Sequence, residues 1–298
     1  EAYNNMGNAF KEQGQLEQAV GAYKKSLSIE PGNAAVSNNL AVAFQEQGKL
    51  EKAIEAFNKT ISIEPDNADA YSNKGAILLQ INQFEEAILN INNAIKIKPD
   101  FIEAHNNLGI LYKESFHFLK AKDSFKKVIE LKPDYAEAHN NLGLVFMNLG
   151  QFVDAQNCYE NALKFKPDYA YSYNNLGTVL GVLGKTKAAI ESYEKAIALN
   201  PDYADAYNNL GNVLRNRRKR VEALSCFEKA YSIQPNTAYL FGALLNTKMH
   251  LCIWDDLSKQ IKDLKYQIND GHKRIDAFSF MALIDDPKLQ KKAHAWVP

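Results

Sequence analysis

No stretch of the 298 residues stays apolar for the roughly 18 to 20 positions that a membrane-crossing helix needs, and neither a basic tip nor an apolar run follows Glu1. Cysteine is scarce. Cys158, Cys226 and Cys252 are odd in number and have no metal-ligand spacing, which argues against a disulfide framework or a zinc site and for a reducing, cytoplasmic setting, nucleocytoplasmic if the source is eukaryotic. A net charge of one sign is also missing: 35 Lys plus Arg balance 35 Asp plus Glu. No overall field therefore draws the chain to nucleic acid or to an anionic membrane, and neither is expected as a partner. Absent too are a nucleophile beside a base, a carboxylate pair, a phosphate-cradling loop and any strand-patterned nucleotide-binding unit. No catalytic residue, metal ligand or cofactor follows from this chain. It opens in the middle of a repeated phrase without an initiator Met, as a piece of a longer polypeptide would.

What the chain has is periodicity. The phrase Asn-Asn-Leu-Gly stands at 106–109, 140–143, 174–177 and 208–211, with looser copies beginning at Asn4, Asn38 and Ser72, each 34 residues after the last. Prolines at 31, 65, 99, 133, 167, 201 and 235 keep the same interval and end helices. Helix-start signals follow them: Asp66 with Asp69, Asp100 with Glu103, Asp134 with Glu137 and Asp202 with Asp205 have capping-box spacing or a close variant. Gly14, Gly48, Gly150 and Gly184 break each unit into two helices, and Asn82 tolerates the same left-handed geometry. Phe116 and Arg218 occupy that turn in the fourth and seventh units, so those turns are expected to close differently.

Small and bulky positions alternate on the same clock. Ala19, Ala53, Ala87, Ala121, Ala155, Ala189 and Ala223 share one position, and Tyr23, Phe57, Ile91, Phe125, Tyr159, Tyr193 and Phe227 follow them on the second helices. The Gly of the phrase, Ala41 in the second unit, is the small residue of the first helix. Together these give interlocking all-α packing of helical hairpins. This pattern resembles the tetratricopeptide repeat family over residues 1 to about 237: Tyr or His early in the first helix, then Leu-Gly, Ala, aromatic, Ala and Pro. The resemblance implies seven antiparallel helix pairs stacked into a right-handed superhelical solenoid, with first helices lining its concave side.

With each proline numbered 32 in its repeat and about 100° per residue, core positions 4, 7, 8 and 11 cluster on one side of the first helix. Positions 2, 6, 9 and 13 fall opposite. Position 6 is Asn in all seven repeats: Asn5, Asn39, Asn73, Asn107, Asn141, Asn175 and Asn209. An amide offers both donor and acceptor, so a row of them can pair with the backbone of an extended peptide whatever its side chains. The plainer alternative is that these residues only add solubility near helix starts. Asn is a poor interior helix former, and its retention lacks an evident packing reason, which favours the binding reading. One turn earlier lie Glu1, Asp69, Glu103, Glu137 and Asp205, replaced by Ala35 and Tyr171 in two repeats. These acids can hydrogen-bond side chains of a bound peptide, and they also complement the helix dipole. A basic clamp for a C-terminal carboxylate would need Lys or Arg at position 5, which holds Asn or Ser, although Lys11, Lys113 and Arg215 stand nearby. The run Arg215, Arg217, Arg218, Lys219, Arg220 straddles a turn and reads as solvated charge, and His105 and His139 as packing residues in place of Tyr.

After Pro235 the period fails. Residues 238–298 are expected to form a C-terminal helical cap over the last repeat, with helices at Tyr239–Leu251, at Asp255–Ile268 and from Asp286-Pro287. The wording from Met249 to Asp256, from Phe278 to Leu283, and from Asp285 through Trp296 is similar to the segment joining repeats to catalytic region in bacterial relatives of O-linked N-acetylglucosamine transferases. Asn-Asn-Leu-Gly arrays with an asparagine ladder typify that family, including its SPINDLY-type O-fucosyltransferase members. The resemblance implies that the groove holds extended peptide or protein substrates for a nucleotide-sugar-dependent glycosyltransferase domain absent from this chain. A free-standing scaffold or assembly protein is the alternative. Trp254 and Trp296 are expected as packing anchors, and oligomerisation is left unassigned.

Overall fold

The computed structural model describes residues 1–237 and 239–255 with Lys259, Ile261, Lys262 and Lys288. Among these residues there are fifteen α-helices and no strand. The chain divides into two compact units, Glu1–Gly150 and Gln151–Pro298. The first holds α1 (Ala2–Glu12), α2 (Leu16–Ile29), α3 (Ala34–Glu46), α4 (Leu50–Ile63), α5 (Ala68–Gln80), α6 (Phe84–Ile97), α7 (Ile102–Glu114), α8 (Phe118–Leu131) and α9 (Ala136–Asn148). The second holds α10 (Phe152–Phe165), α11 (Ala170–Val182), α12 (Thr186–Leu199), α13 (Ala204–Asn216), α14 (Arg220–Ile233) and α15 (Leu240–His250).

Within each unit the helices stack in chain order. In the first, α1 packs on α2, α3 on α4, α5 on α6 and α7 on α8, while each second helix also packs on the next first helix. In the second, α11 pairs with α12 and α13 with α14, and α15 lies against α14 and α13. This nearest-neighbour packing is what a repeated hairpin must do, because no hairpin can bury its apolar face alone.

The fit between small and large residues sets the helix spacing. A methyl group on Gly109 would come within 2.7 Å of the Phe125 ring, and one on Gly211 equally close to Phe227. Each second-helix Ala of the periodic set is fully buried. Real side-chain carbons do not approach that closely, so glycine there lets the second-helix ring lie against the first-helix backbone.

Two expectations are corrected by the backbone. The turns at Phe116 and Arg218 close in the same way as the glycine turns, with φ of 61° and 62° against 72° at Gly14. The hydrogen bonds explain why: His117 N–H donates to Tyr112 O at 2.7 Å and Lys219 N–H to Leu214 O at 3.0 Å, the pairing that Gln15 and Phe10 make in the first repeat. Satisfying those orphan carbonyls outweighs the roughly 1–2 kcal/mol that a left-handed non-glycine residue costs. The capping assignment is also shifted. Asp66, Asp100, Asp134 and Asp202 lie in the tight turn after proline, one residue before the N-caps Asn67, Phe101, Tyr135 and Tyr203. Asn33 and Asn67 cap by accepting the N–H groups of Val36 and Ala70, at 3.1 and 2.8 Å, so Asn67 takes the role assigned to Asp66.

Helix α15 buries Leu240, Phe241, Leu244 and Leu245, and Phe241 packs at a tilt against Tyr231 with ring centroids 5.4 Å apart. Trp254 departs from the packing-anchor expectation, with 53% of its surface exposed. Apart from Asp255, Lys259, Ile261, Lys262 and Lys288, the helices expected at 255–268 and from Asp286 lie outside the described residues, as does Trp296.

Candidate functional site

The asparagine row is built by the first helices. Asn5, Asn39, Asn73, Asn107 and Asn141 sit on α1, α3, α5, α7 and α9 of the first unit, and Asn175 and Asn209 on α11 and α13 of the second. Asn5 is exposed and the other six are half-buried. They are not simply a solvated row. Asn39 Nδ2 donates to Asn4 Oδ1 at 3.1 Å and to Asn8 Oδ1 at 3.3 Å, Asn107 Nδ2 to Ser72 Oγ at 3.4 Å, and Asn209 Nδ2 to Asn174 Oδ1 at 3.0 Å. Apart from the contact to Asn8, the second residue of one phrase ties back to the first residue of the phrase before it. Asn38 Oδ1 and Asn106 Oδ1, the corresponding acceptors for the third and fifth repeats, are buried without a hydrogen-bond partner.

These contacts supply a packing reason for both asparagines, which the sequence did not disclose. They also restrict what the amides can offer. A primary amide has two N–H donors and a carbonyl acceptor. Asn107 and Asn209 each use one donor on the neighbouring repeat, which leaves a carbonyl oxygen and a second N–H. Asn39 divides its nitrogen between two acceptors and keeps its carbonyl.

The acids of position 2 lie in the first turns of their helices, with Asp69, Glu103 and Asp205 exposed and Glu137 half-buried. Their fields reach a neighbouring aromatic: burial first, then the charges of Glu137 and Glu103, push the Tyr135 hydroxyl above the usual phenol range. In the second unit, Tyr171 takes the place of an acid and meets two more tyrosines. Its ring centroid lies 5.0 Å from that of Tyr203 and 6.3 Å from that of Tyr169. The Tyr203 hydroxyl hydrogen-bonds the Asn174 side chain, and burial followed by the Asp205 charge holds its pKa well above the phenol range. Asn174 thereby joins Tyr203 to Asn209.

Sequence reasoning noted Tyr171 only as a gap in the acidic row and missed Tyr203. The available signal was the aromatic residue two positions after successive prolines, at Phe101, Tyr135, Tyr169 and Tyr203. Three of these rings carry a lysine from three residues earlier: Lys98 lies 4.6 Å from the Phe101 centroid, Lys132 5.1 Å from Tyr135, and Lys166 4.7 Å from Tyr169.

Other candidate groups have structural partners. His105 Nε2 and His139 Nε2 hydrogen-bond the carbonyls of Pro99 and Pro133, both at 2.8 Å, tying each helix start to the preceding turn. In the basic run, Arg215 Nη2 donates to Asn212 Oδ1 at 3.0 Å and Lys219 lies 3.9 Å from Glu222. Cys158 is buried, and burial with Glu194 and Glu222 pushes the Cys226 thiol up to about 11, which makes it a weak nucleophile near neutrality. Among the described residues no three metal-ligating side chains converge, and no helix is long and apolar enough to cross a membrane.

Family models for the tetratricopeptide repeat match residues 7–48, 43–82, 75–115, 120–150 and 182–216, with single-repeat matches over 136–169, 158–191 and 204–237. A comparison with curated protein sequences gives no match. Among solved structures, a tetratricopeptide repeat protein from Parabacteroides merdae is 21% identical, with a TM-score of 0.65, over 83% of this chain and 97% of its own. YrrB, described as a repeat protein with an unusual peptide-binding site, is 24% identical with a TM-score of 0.53, over 66% of this chain and 99% of its own. MamA is 26% identical with a TM-score of 0.51, over 55% of this chain and 96% of its own.

Proposed function

The chain belongs to the tetratricopeptide repeat family, and from that premise we propose that it is a protein-binding array whose amide-bearing first-helix face holds an extended polypeptide. The observation that carries this reading is the recurrent amide pair. Its inter-repeat hydrogen bonds fix the side chains of Asn39, Asn107 and Asn209 in orientation, while each keeps a carbonyl and the last two a further N–H. A pre-oriented amide loses little rotamer freedom on binding and matches the alternating C=O and N–H of an extended backbone. Asp69, Glu103, Glu137 and Asp205 add acceptors for hydroxyl or amide side chains of the bound chain. The solved structure of YrrB, with its peptide-binding site, supports the same use of the fold.

The test replaces Asn107, Asn141 and Asn175 together by Ala and titrates a short, fluorescein-labelled Gly/Ser peptide. Three lost amide contacts at about 1 kcal/mol each predict roughly a hundredfold weaker binding. The helical circular dichroism signal is expected to persist. Unchanged affinity would remove the ladder from the account.

The finer reading is that this array is the substrate-recognition region of a cytoplasmic protein O-glycosyltransferase. It is supported by the wording of residues 249–296 and by the asparagine row, and by neither the family models nor the solved structures. The residues encoded after Pro298 separate it from a free-standing scaffold: a two-domain Rossmann-like continuation supports the transferase, and a stop codon leaves the scaffold.

A further inference from the structure

We propose that the sixth repeat carries an open seat for a cationic side chain of the bound polypeptide, formed by the Tyr171 and Tyr203 rings beside Asp205. The inference rests on the peptide-binding reading and adds a side-chain preference to a face otherwise argued to read backbone.

A pairing rule runs through the turns of the chain. In the first five repeats the residue before the proline and the residue two after it stand three apart and their side chains satisfy one another. Where the first is Glu, the second is Asn: Asn33 Nδ2 donates to Glu30 Oε2 at 2.9 Å and Asn67 Nδ2 to Glu64 Oε2 at 2.8 Å. Where the first is Lys, the second is aromatic, and the ammonium of Lys98, Lys132 or Lys166 sits over the ring at 4.6 to 5.1 Å. The sixth and seventh repeats break the rule, and of the two only the sixth keeps the aromatic residue. Tyr203 has the aromatic ring, but Asn200 stands where lysine would, and its Oδ1 instead accepts the Asp202 N–H at 3.2 Å.

A second substitution in the same place enlarges the ring surface. Tyr171 replaces the acid of position 2, packs at a tilt against Tyr203 and leaves 56% of its own surface exposed. The acid of the next repeat, Asp205, is retained, and its charge acts on the Tyr203 hydroxyl. An electron-rich pair of phenol rings with one carboxylate favours a cation over a neutral apolar group, because the ring quadrupole and the carboxylate attract the same charge. Guanidinium, which stacks on rings and bonds carboxylates through its fork, fits better than ammonium. The hydrogen bond between the Tyr203 hydroxyl and the side chain of Asn174, whose Oδ1 accepts Asn209 Nδ2, places the seat directly beside the amide row.

The test uses labelled Gly/Ser peptides that differ at one central residue: arginine, its neutral isostere citrulline, or norleucine. Wild-type protein is expected to bind the arginine peptide about three- to tenfold more tightly than either neutral one. Asn200→Lys supplies the in-chain cation that the third to fifth repeats already carry, so it is expected to fold and to bring the ratio to about one. Tyr171→Phe keeps the preference and Tyr171→Ala loses it. An arginine-to-citrulline ratio of one in wild type, norleucine binding as tightly as arginine, or a preference that survives Asn200→Lys would each overturn the seat. The citrulline peptide tests the underlying reading separately, through its loss of affinity in the Asn107, Asn141, Asn175 triple variant. If neither peptide binds, both proposals fall.

Discussion

Two glycines one turn apart on α11 are expected to respond in opposite directions to the same added methyl group. Gly177 faces Tyr193, where a built Cβ would lie 2.7, 2.8 and 2.9 Å from Cε1, Cδ1 and Cζ of the ring. Tyr193 has little room to yield, being 3% exposed and bonded through its hydroxyl to Thr178 Oγ1 at 3.2 Å. Gly181 is exposed, and a Cβ there meets nothing within 4 Å. Replacing Gly by Ala gains about 1 kcal/mol of helix propensity in an interior and about half of that near an end, where Gly181 lies. Overpacking at Gly177 costs about 1–3 kcal/mol, and Ala41 at the equivalent buried place in α3 argues for the middle of that range. Gly181→Ala is therefore expected to stabilise by about 0.5 kcal/mol, and Gly177→Ala to destabilise by about 1 kcal/mol. Thermal melts followed by circular dichroism should show the first raising Tm by about 1–2 °C and the second lowering it by about 2–4 °C. Shifts of the same sign in both variants would refute the claim that glycine in the repeated phrase is there for close approach.

Phe116→Gly and Arg218→Gly should each stabilise the chain by about 0.5–1 kcal/mol in urea unfolding, since the left-handed φ costs more than the backbone freedom glycine regains. No gain at either position would mean that the side chain compensates locally, and for Phe116 its edge contact with Phe118 is the place to look. A double-mutant cycle with Asn174→Ala and Asn209→Ala should give a coupling of about 0.5–1.5 kcal/mol, reporting the 3.0 Å inter-repeat bond. Additive effects would show that the two amides do not hold neighbouring repeats together.

The fold was legible because its determinants are local and repeated. Proline, glycine and the alternation of Ala with large rings act through backbone geometry and volume, and each recurs often enough to be read without partners in view. What escaped depended on contacts between repeats or on one-residue offsets. Asn141 and its equivalents look solvent-facing on a single helical wheel, because a wheel contains no neighbouring helix. Only with the preceding repeat in place do Asn39, Asn107 and Asn209 become donors to Asn4, Ser72 and Asn174. The aspartate after proline resembles an N-cap by composition, yet helix start is fixed one residue later by the tight turn. Phe116 and Arg218 look like departures because residue type is a weaker constraint on that turn than its two backbone hydrogen bonds.

The central claim is that the amide row reads polypeptide backbone, and backbone chemistry in the ligand tests it most directly. A short Gly/Ser peptide and its counterpart N-methylated at the central amides differ in N–H donors and hardly at all in side chains. Titrated into the wild-type protein, the N-methylated peptide is predicted to bind about tenfold or more weakly, as expected for loss of two backbone hydrogen bonds. Equal affinity of the two peptides would contradict the account.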